Sequence, residues 1–407
     1  MGCACVSSGV AAEEDVGALK ARVEQLEKTV QALQEETRQR SAGDASETLL
    51  KRKRALLAVS ATGVIQGSTG VEKELSDEED STDGVMAFEL EAALHATEKD
   101  VVYIHVLAGD GGGLDAHLPS ISILNGNAYD EGNLLVSEFW YGVAFETWNT
   151  VFEVGKIGIS GPGDFGPEQA ILFDGNEYAN NERSQFLAGG FINNLTLEFP
   201  DENGVSAMFR VSPLEILDMS AGMGEADGDW YDLFDDLFAI AEINLKPEIR
   251  GRAGNYRVYG WYNGKEHENF RDASDTNAVN YGVGLSLDQA VTDWLGIFAR
   301  YGWQSPDVSQ IEASWSAGLQ WTAPLPWRPN DRLGVAYGRV CLSGPWESAG
   351  RDDGISSADE GHAELYYSLA VRDWVQLTPD IQWVRHPNGE RARDDIWILA
   401  LRARLTF

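Results

Sequence analysis

From Ala55 onward apolar and polar residues alternate with period two, and the last stretch does so up to the final residue. There Trp397, Leu399, Leu401, Ala403, Leu405 and Phe407 share one face, while Ile398, Ala400, Arg402, Arg404 and Thr406 share the other. Period two is the pattern of a β-strand. A strand that is apolar along one whole face and carries arginines on the other separates lipid from water, because a charge on the lipid face is costly at the bilayer midplane. Arg402 and Arg404 are therefore expected to point into a polar lumen. No stretch contains the roughly 18 uncharged apolar residues of a membrane helix, so any crossing would be made by strands.

Sixteen strand candidates follow from the pattern, near 55–66, 84–96, 99–108, 134–146, 149–158, 190–199, 204–212 and 236–246, then 255–264, 278–287, 294–303, 311–321, 331–340, 361–370, 374–385 and 394–407. Short turns are expected at 97–100, at Trp148, at 201–204 and at 372–373. Between them lie long connections at about 67–83, 109–133, 159–189, 213–235, 265–277 and 341–360. Short turns on one side, long loops on the other and an even strand count describe a closed antiparallel outer-membrane barrel. A propeller or sandwich has no such two-sided alternation. An even count also puts both barrel ends on the short-turn, periplasmic side.

The same parity sorts the other strands. Arg210 falls with Ser206 and Met208 opposite Val205, Ala207 and Phe209. Arg300 falls with Gly296, Phe298 and Gly302 opposite Leu295, Ile297 and Tyr301. Arg257, Tyr259 and Trp261 share a face, as do Glu138, Trp140 and Glu146. Trp294, Trp374 and Tyr301, near strand ends, suit interfacial aromatic girdles. The expected lumen thus mixes Arg, Glu and aromatic rings. Rings stack on the C–H faces of sugars, and charged groups bond to hydroxyls.

Composition narrows the function. The formal charge is −34, which excludes nucleic acid as a partner, since phosphate backbones are bound by clustered Lys and Arg. The acidic run at 72–83 works against uptake of anionic solutes. With 43 Gly and 13 Trp, 13 Tyr and 15 Phe, the chain has the residues of a barrel rather than of a disordered polymer. Cys3 and Cys5 fall in a processing segment, leaving Cys341 with no internal disulfide partner. HExxH, CxxC, P-loop and GxSxG motifs are missing from the sequence, and the 6 His are dispersed. No metal, cofactor or enzymatic activity is expected.

The N-terminal part follows other rules. Residues 1–12 read as the remnant of a secretory signal. In 13–40, Val16, Leu19, Val23, Leu26, Val30 and Leu33 alternate steps of three and four, a heptad seam with Val at a and Leu at d. Arg22 at g faces Glu27 at e of a neighbouring helix, as in a parallel coiled coil. The coil is expected in the periplasm, with a reach of roughly 40 Å at about 1.5 Å per residue. Residues 41–54 form a basic linker ending in Lys51-Arg52-Lys53-Arg54, and 55–407 form the barrel.

Several blocks resemble the carbohydrate-selective porin family of the OprB type. They are YANNERSQFLAGGFINN at 178–194, NYRVYGWYN at 255–263, YGVGLSLDQAVTDWLGIFARYGW at 281–303 and the run through TPDIQWVRHP within 361–387. The Gly-Lys strand at 149–158 and the blocks within 317–338 are similar as well, so the resemblance spans roughly 85–407. It implies a 16-stranded outer-membrane barrel that passes sugars by facilitated diffusion through a constriction of Arg and Glu built partly by inward-folded loops. By motif it adds Glu182 and Arg183 to the candidates. The coiled coil departs from many family members and suggests a homotrimer held through 13–40, with peptidoglycan contact beneath. The alternatives are a general diffusion porin and an envelope-tethering structural protein.

Overall fold

The computed structural model describes residues 55–407 apart from 72–79, 119, 129–133, 161–169, 201–202, 229, 232, 234 and 351–355. The expected leader, coiled coil and basic linker lie outside the described residues, as does most of the acidic run 72–83. Seventeen strands bond into one antiparallel sheet, and one of them, Glu248–Ile249, is only two residues inside a turn. Sixteen crossing strands remain.

These are β1 (Ala55–Thr69), β2 (Thr82–Leu94), β3 (Asp100–Asp110), β4 (Leu134–Phe145), β5 (Thr150–Lys156) and β6 (Val205–Leu214). They continue with β7 (Leu217–Glu225), β8 (Leu237–Leu245), β9 (Arg252–His267), β10 (Ala278–Ala290) and β11 (Leu295–Gln304). The last are β12 (Ile311–Thr322), β13 (Arg332–Leu342), β14 (Glu360–Arg372), β15 (Val375–Arg385) and β16 (Ile396–Thr406). Each pairs with its sequence neighbours, and β1 pairs with both β2 and β16, so the sheet closes. Closure leaves no edge of unpaired backbone groups, which hydrocarbon would not tolerate. At the seam the Phe407 N–H donates to the Val59 carbonyl at 2.9 Å, and the Val59 N–H to the Phe407 carbonyl at 3.2 Å.

Connections alternate as expected, with one displaced strand. Residues 190–199 are not a strand. They form a helical turn, Gly189–Ile192, and irregular chain inside one long connection, 157–204. The apolar residues that gave them a strand-like pattern, Phe191, Ile192 and Leu197, are buried within the barrel rather than on its wall. The missing strand is β7, within the stretch expected to be a loop. Its outward Leu217, Met219, Ala221 and Met223 alternate with inward Asp218, Ser220, Gly222 and Gly224, a pattern weakened by small residues. Of the turn expected at 201–204, the described residues 203–204 precede β6 at the end of the long connection, and the hairpin is at 215–216. Glu146 lies beyond the end of β4, exposed in a short turn, where it accepts a bond from Lys99 at 2.8 Å.

Burial follows parity along most strands, with outward residues such as Ile65, Val283 and Leu399 at least half exposed. Aromatic pairs fringe this apolar band. Trp294 and Trp321 stack at 4.9 Å, and Trp374 and Phe407 at 5.7 Å, on the short-turn side. Tyr281–Trp303, Trp315–Tyr337 and Trp383–Trp397 lie on the long-loop side. Such a belt would be an aggregation surface in water and is what a bilayer covers.

One short turn is locked by a buried carboxylate. Asp331 accepts bonds from Arg328 at 2.9 and 3.1 Å, from the Tyr367 hydroxyl at 2.6 Å and from the Ala370 N–H at 3.0 Å. Burial pulls its pKa up, but these donors outweigh it and hold the carboxyl below its ordinary value. A depressed pKa stabilises the fold above the unfolded pKa, and the contribution is lost as pH falls through the folded one. Asp331→Asn should therefore lower stability at neutral pH by about 1.5–3 kcal/mol. Thermal unfolding in detergent should show the two proteins converging below about pH 4.

Candidate functional site

Two long connections turn into the barrel. The first, 111–133, carries the 3-10 turn Gly113–Ala116; the second is 157–204. Leu114, Leu124, Phe186, Leu187 and Phe191 from these loops are almost fully buried. Phe186 packs against Phe191, the wall residue Phe298 and the wall residue Tyr366, with ring centroids 5.0–5.6 Å apart. A second apolar cluster joins Leu172, Phe173 and Leu197 of the loop to Trp140, Phe238, Tyr259 and Trp261 of the wall.

Apolar packing cannot satisfy loop backbone drawn into a barrel; its N–H and C=O groups need partners. The wall supplies them from acidic and guanidinium side chains. Glu360 on β14 accepts the Ile121 and Ser122 N–H groups at 3.0 and 2.8 Å. Glu364, four residues along, accepts the Leu187 and Ala188 N–H groups at 2.6 and 2.9 Å. Glu242 accepts the Asp174 N–H at 3.0 Å. Carbonyls are met by arginines. Arg300 donates to the Phe191 carbonyl at 2.6 Å and the Asp174 carbonyl at 2.9 Å, and Arg402 donates to the carbonyls of Gln185, at 2.6 Å, and Glu182. Bonds with one ionised partner are shorter and stronger than neutral ones, so the wall grips the loops through main chain, whatever their side chains.

Inward glycines make the room. A Cβ on Gly296 would collide with the Tyr178 ring, and one on Gly302 with Asn194 and Thr196. These strands carry a glycine where a loop side chain must touch the sheet.

The expected site residues divide into groups. Arg300 and Tyr259 meet at the loop residue Asp174: the Arg300 Nε lies 2.9 Å from one carboxylate oxygen, and the Tyr259 hydroxyl donates to the other at 3.0 Å. Arg257 pairs with Asp288 at 2.8 Å and lies within electrostatic range of Asp174 and Glu242. Arg210 donates to Ser212 at 2.6 Å. Glu138 accepts the Trp140 indole N–H at 2.8 Å, and Trp140 stacks on Tyr103 at 4.8 Å. Tyr259 and Trp261 are covered by loop 157–204. Arg183 and Glu182 differ from the anchors. Arg183 bridges Glu182 at 2.6 Å and Glu89 of β2 at 2.8 Å, and its side chain stays 20% exposed, against 1% for Arg300. His105 lies 3.4 Å from Glu89, and Arg404 is within electrostatic range of Glu89, Arg183 and Glu182. Residues 169–407 match the family model described as "Carbohydrate-selective porin, OprB family".

The chain belongs to the OprB family of carbohydrate-selective porins. The family model's match begins at residue 169, within the span of resemblance from about 85 to 407. The fold likeness reaches further: the high-pH structure of Pseudomonas putida OprB covers 90% of this chain and 97% of its own, at TM-score 0.75 and 15% identity. The Acinetobacter baylyi protein named "Putative porin QuiX" is 23% identical over 308 residues, 67% of this chain and 69% of that protein. Porin B of Pseudomonas aeruginosa is 23% identical over 127 residues, 28% of each chain. Family and fold are those of channels rather than enzymes.

In this porin the residues the sequence reading missed are mostly wall acids. Glu89 alternates with Phe88 and Leu90, and Glu360 and Glu364 share the inward parity of Tyr366. The period-two rule was enough to find all three. Asp174 had no such signal, because its role depends on where loop 157–204 comes to rest. The porin's anchors can be tested directly. Glu364→Ala leaves two loop N–H groups without their partner, and Arg300→Ala leaves Asp174 without its cation. The first should cost about 2–5 kcal/mol at the loop seat, at about 1–3 per unpaired N–H, and the second about 3–5 kcal/mol. Single-channel recordings should show larger, noisier conductance; unchanged traces from both variants would mean the loop does not depend on these anchors.

Proposed function

We propose that neutral sugars cross this barrel by facilitated diffusion and that the constriction lies where loop 157–204 brings Arg183 and Glu182 against Glu89 and Arg404. The observation that carries this is the contrast in exposure. Arg300 and Arg402 are covered and bonded to loop carbonyls, whereas Arg183, Glu182 and His105 keep 20%, 16% and 14% of their side chains accessible. Opposed charges at a narrow point orient water, offer bonds to sugar hydroxyls and filter ions. Tyr103, stacked on Trp140 and within electrostatic range of Glu89, supplies an aromatic face beside them. The other expected residues, Arg210, Arg257, Arg300, Arg402, Glu138, Tyr259 and Trp261, act as supports that set the shape of the passage.

Single-channel conductance in planar bilayers, with mono- and disaccharides titrated in, tests this. Saturable block of the current is the expected result; large steps indifferent to sugar would make the protein a general diffusion porin. Arg183→Ala removes the cation between Glu89 and Glu182, so it should turn the channel towards cations and weaken sugar block by roughly tenfold, the loss of one charge-assisted bond.

The heptads of 13–40 support a further reading, that a periplasmic coiled coil gathers barrels into a homotrimer and reaches towards the peptidoglycan. Deleting 13–40 should reduce the oligomer mass in mild detergent while leaving sugar block intact. A pure tether would instead show no channel activity in either form.

A further inference from the structure

The outward face of β13–β16 is ordered in rows that the strand register sets side by side. One row is apolar, with Val335 beside Leu365, Leu365 beside Ile381 and Ile381 beside Leu399. Two residues nearer the long loops, Tyr337, Ala363, Trp383 and Trp397 are aligned in the same way, forming part of the upper aromatic girdle. Two residues further, Arg339 is paired with Gly361 and Gly361 with Arg385. At about 3.3 Å per residue, the arginine row stands roughly 6–7 Å beyond the aromatic one. Lipid tails, interface and headgroups follow one another in that order across a bilayer leaflet.

The arginine row also has a gap. Gly361 has no side chain, and the Tyr337 hydroxyl and the Arg385 Cβ close over its position. With strands about 4.8 Å apart, the backbones of Arg339 and Arg385 are about 10 Å apart across this bare strand. Arg339 is half exposed and paired with Asp359 at 2.7 Å. Arg385 is exposed, and among the described residues its guanidinium makes no hydrogen bond or ion pair. Beside it opens a cleft of about 590 Å³ lined by Trp383, Arg385, Arg391, Arg393 and Asp395. Arg391 is held by the Ser357 carbonyl at 3.2 Å, Arg393 by Glu390 at 2.9 Å, and Asp395 by the Trp383 indole N–H at 3.2 Å. Asp394 also borders the cleft. Most arginines around the cleft are balanced by acids, Arg339 by Asp359 and Arg393 by Glu390, so the unpaired guanidinium of Arg385 is the cation at headgroup height left to attract an anionic group.

The geometry points to a lipid site: Arg339 and Arg385, astride Gly361, hold the phosphate of a phosphorylated outer-leaflet lipid whose chains lie along the Val335–Leu365–Ile381 row. Guanidinium groups suit this task because their planar fork matches phosphate oxygens. The site is on the outside of the barrel and needs no sugar passage to operate.

The test uses the full chain purified in a neutral detergent, titrated with diphosphoryl lipid A, with the same lipid stripped of its phosphates, and with inorganic phosphate alone. Native mass spectrometry counts what stays bound. Wild type should retain the phosphorylated lipid at least about tenfold better than the stripped one, the worth of one or two charge-assisted bonds. The variant R339Q/R385Q should lose that preference, and R339K/R385K should keep most of it. Both substitutions sit on the outer surface, and heat-modifiable migration on a gel confirms that each variant is folded. Equal retention of both lipids by wild type, or an unchanged preference in R339Q/R385Q, overturns the proposal. Occupancy by inorganic phosphate as tight as by the lipid would make it a site for small anions and overturns the lipid assignment.

Discussion

Everything inside this barrel depends on how loop backbone is satisfied where there is little water to do it. A strand satisfies its neighbours through the ladder, but loops 111–133 and 157–204 have no ladder. Their N–H groups end on the carboxylates of Glu242, Glu360 and Glu364, and their carbonyls on the guanidiniums of Arg300 and Arg402. An unpaired buried peptide group costs about as much as the bond it fails to make. The wall charges therefore fix where the loops rest, and the position of the loops sets what remains of the passage.

This reverses the usual view of charges in a porin lumen. An inward arginine need not face the solute. Arg300 and Arg402 are covered because loop carbonyls cover them, whereas Arg183, on the loop itself, keeps 20% of its side chain accessible. Glycines are the counterpart of the charges. Gly296 and Gly302 are the points where the sheet yields volume so that Tyr178, Asn194 and Thr196 can lie against it. Substituting either would push on the loop without touching a charged residue.

The outward face obeys a simpler rule. Bilayer depth acts on each residue separately, so apolar, aromatic and cationic side chains are sorted by height alone. The rows on β13–β16 arise in this way, from register and depth, with no contribution from loop folding.

Much of this was legible in the sequence, because parity in a closed sheet is a local property: Arg257, Arg300 and Arg402 point inward for the same reason that Leu399 points outward. Strand number and the side of the chain ends followed from the same rule. It failed where local pattern and final place diverge. Residues 190–199 alternate well enough to pass for a strand, yet they pack inside as part of a plug, and β7 was hidden by the small residues of its inward face, Ser220, Gly222 and Gly224. The sequence by itself determined the barrel and which way its wall residues face, since both depend only on period two and the cost of burying charge in lipid. Only the tertiary structure decided which inward charges became anchors and which stayed accessible. That choice depends on residues over a hundred positions apart, such as Asp174 and Arg300 or Gln185 and Arg402, meeting across the lumen, and no local pattern encodes that meeting.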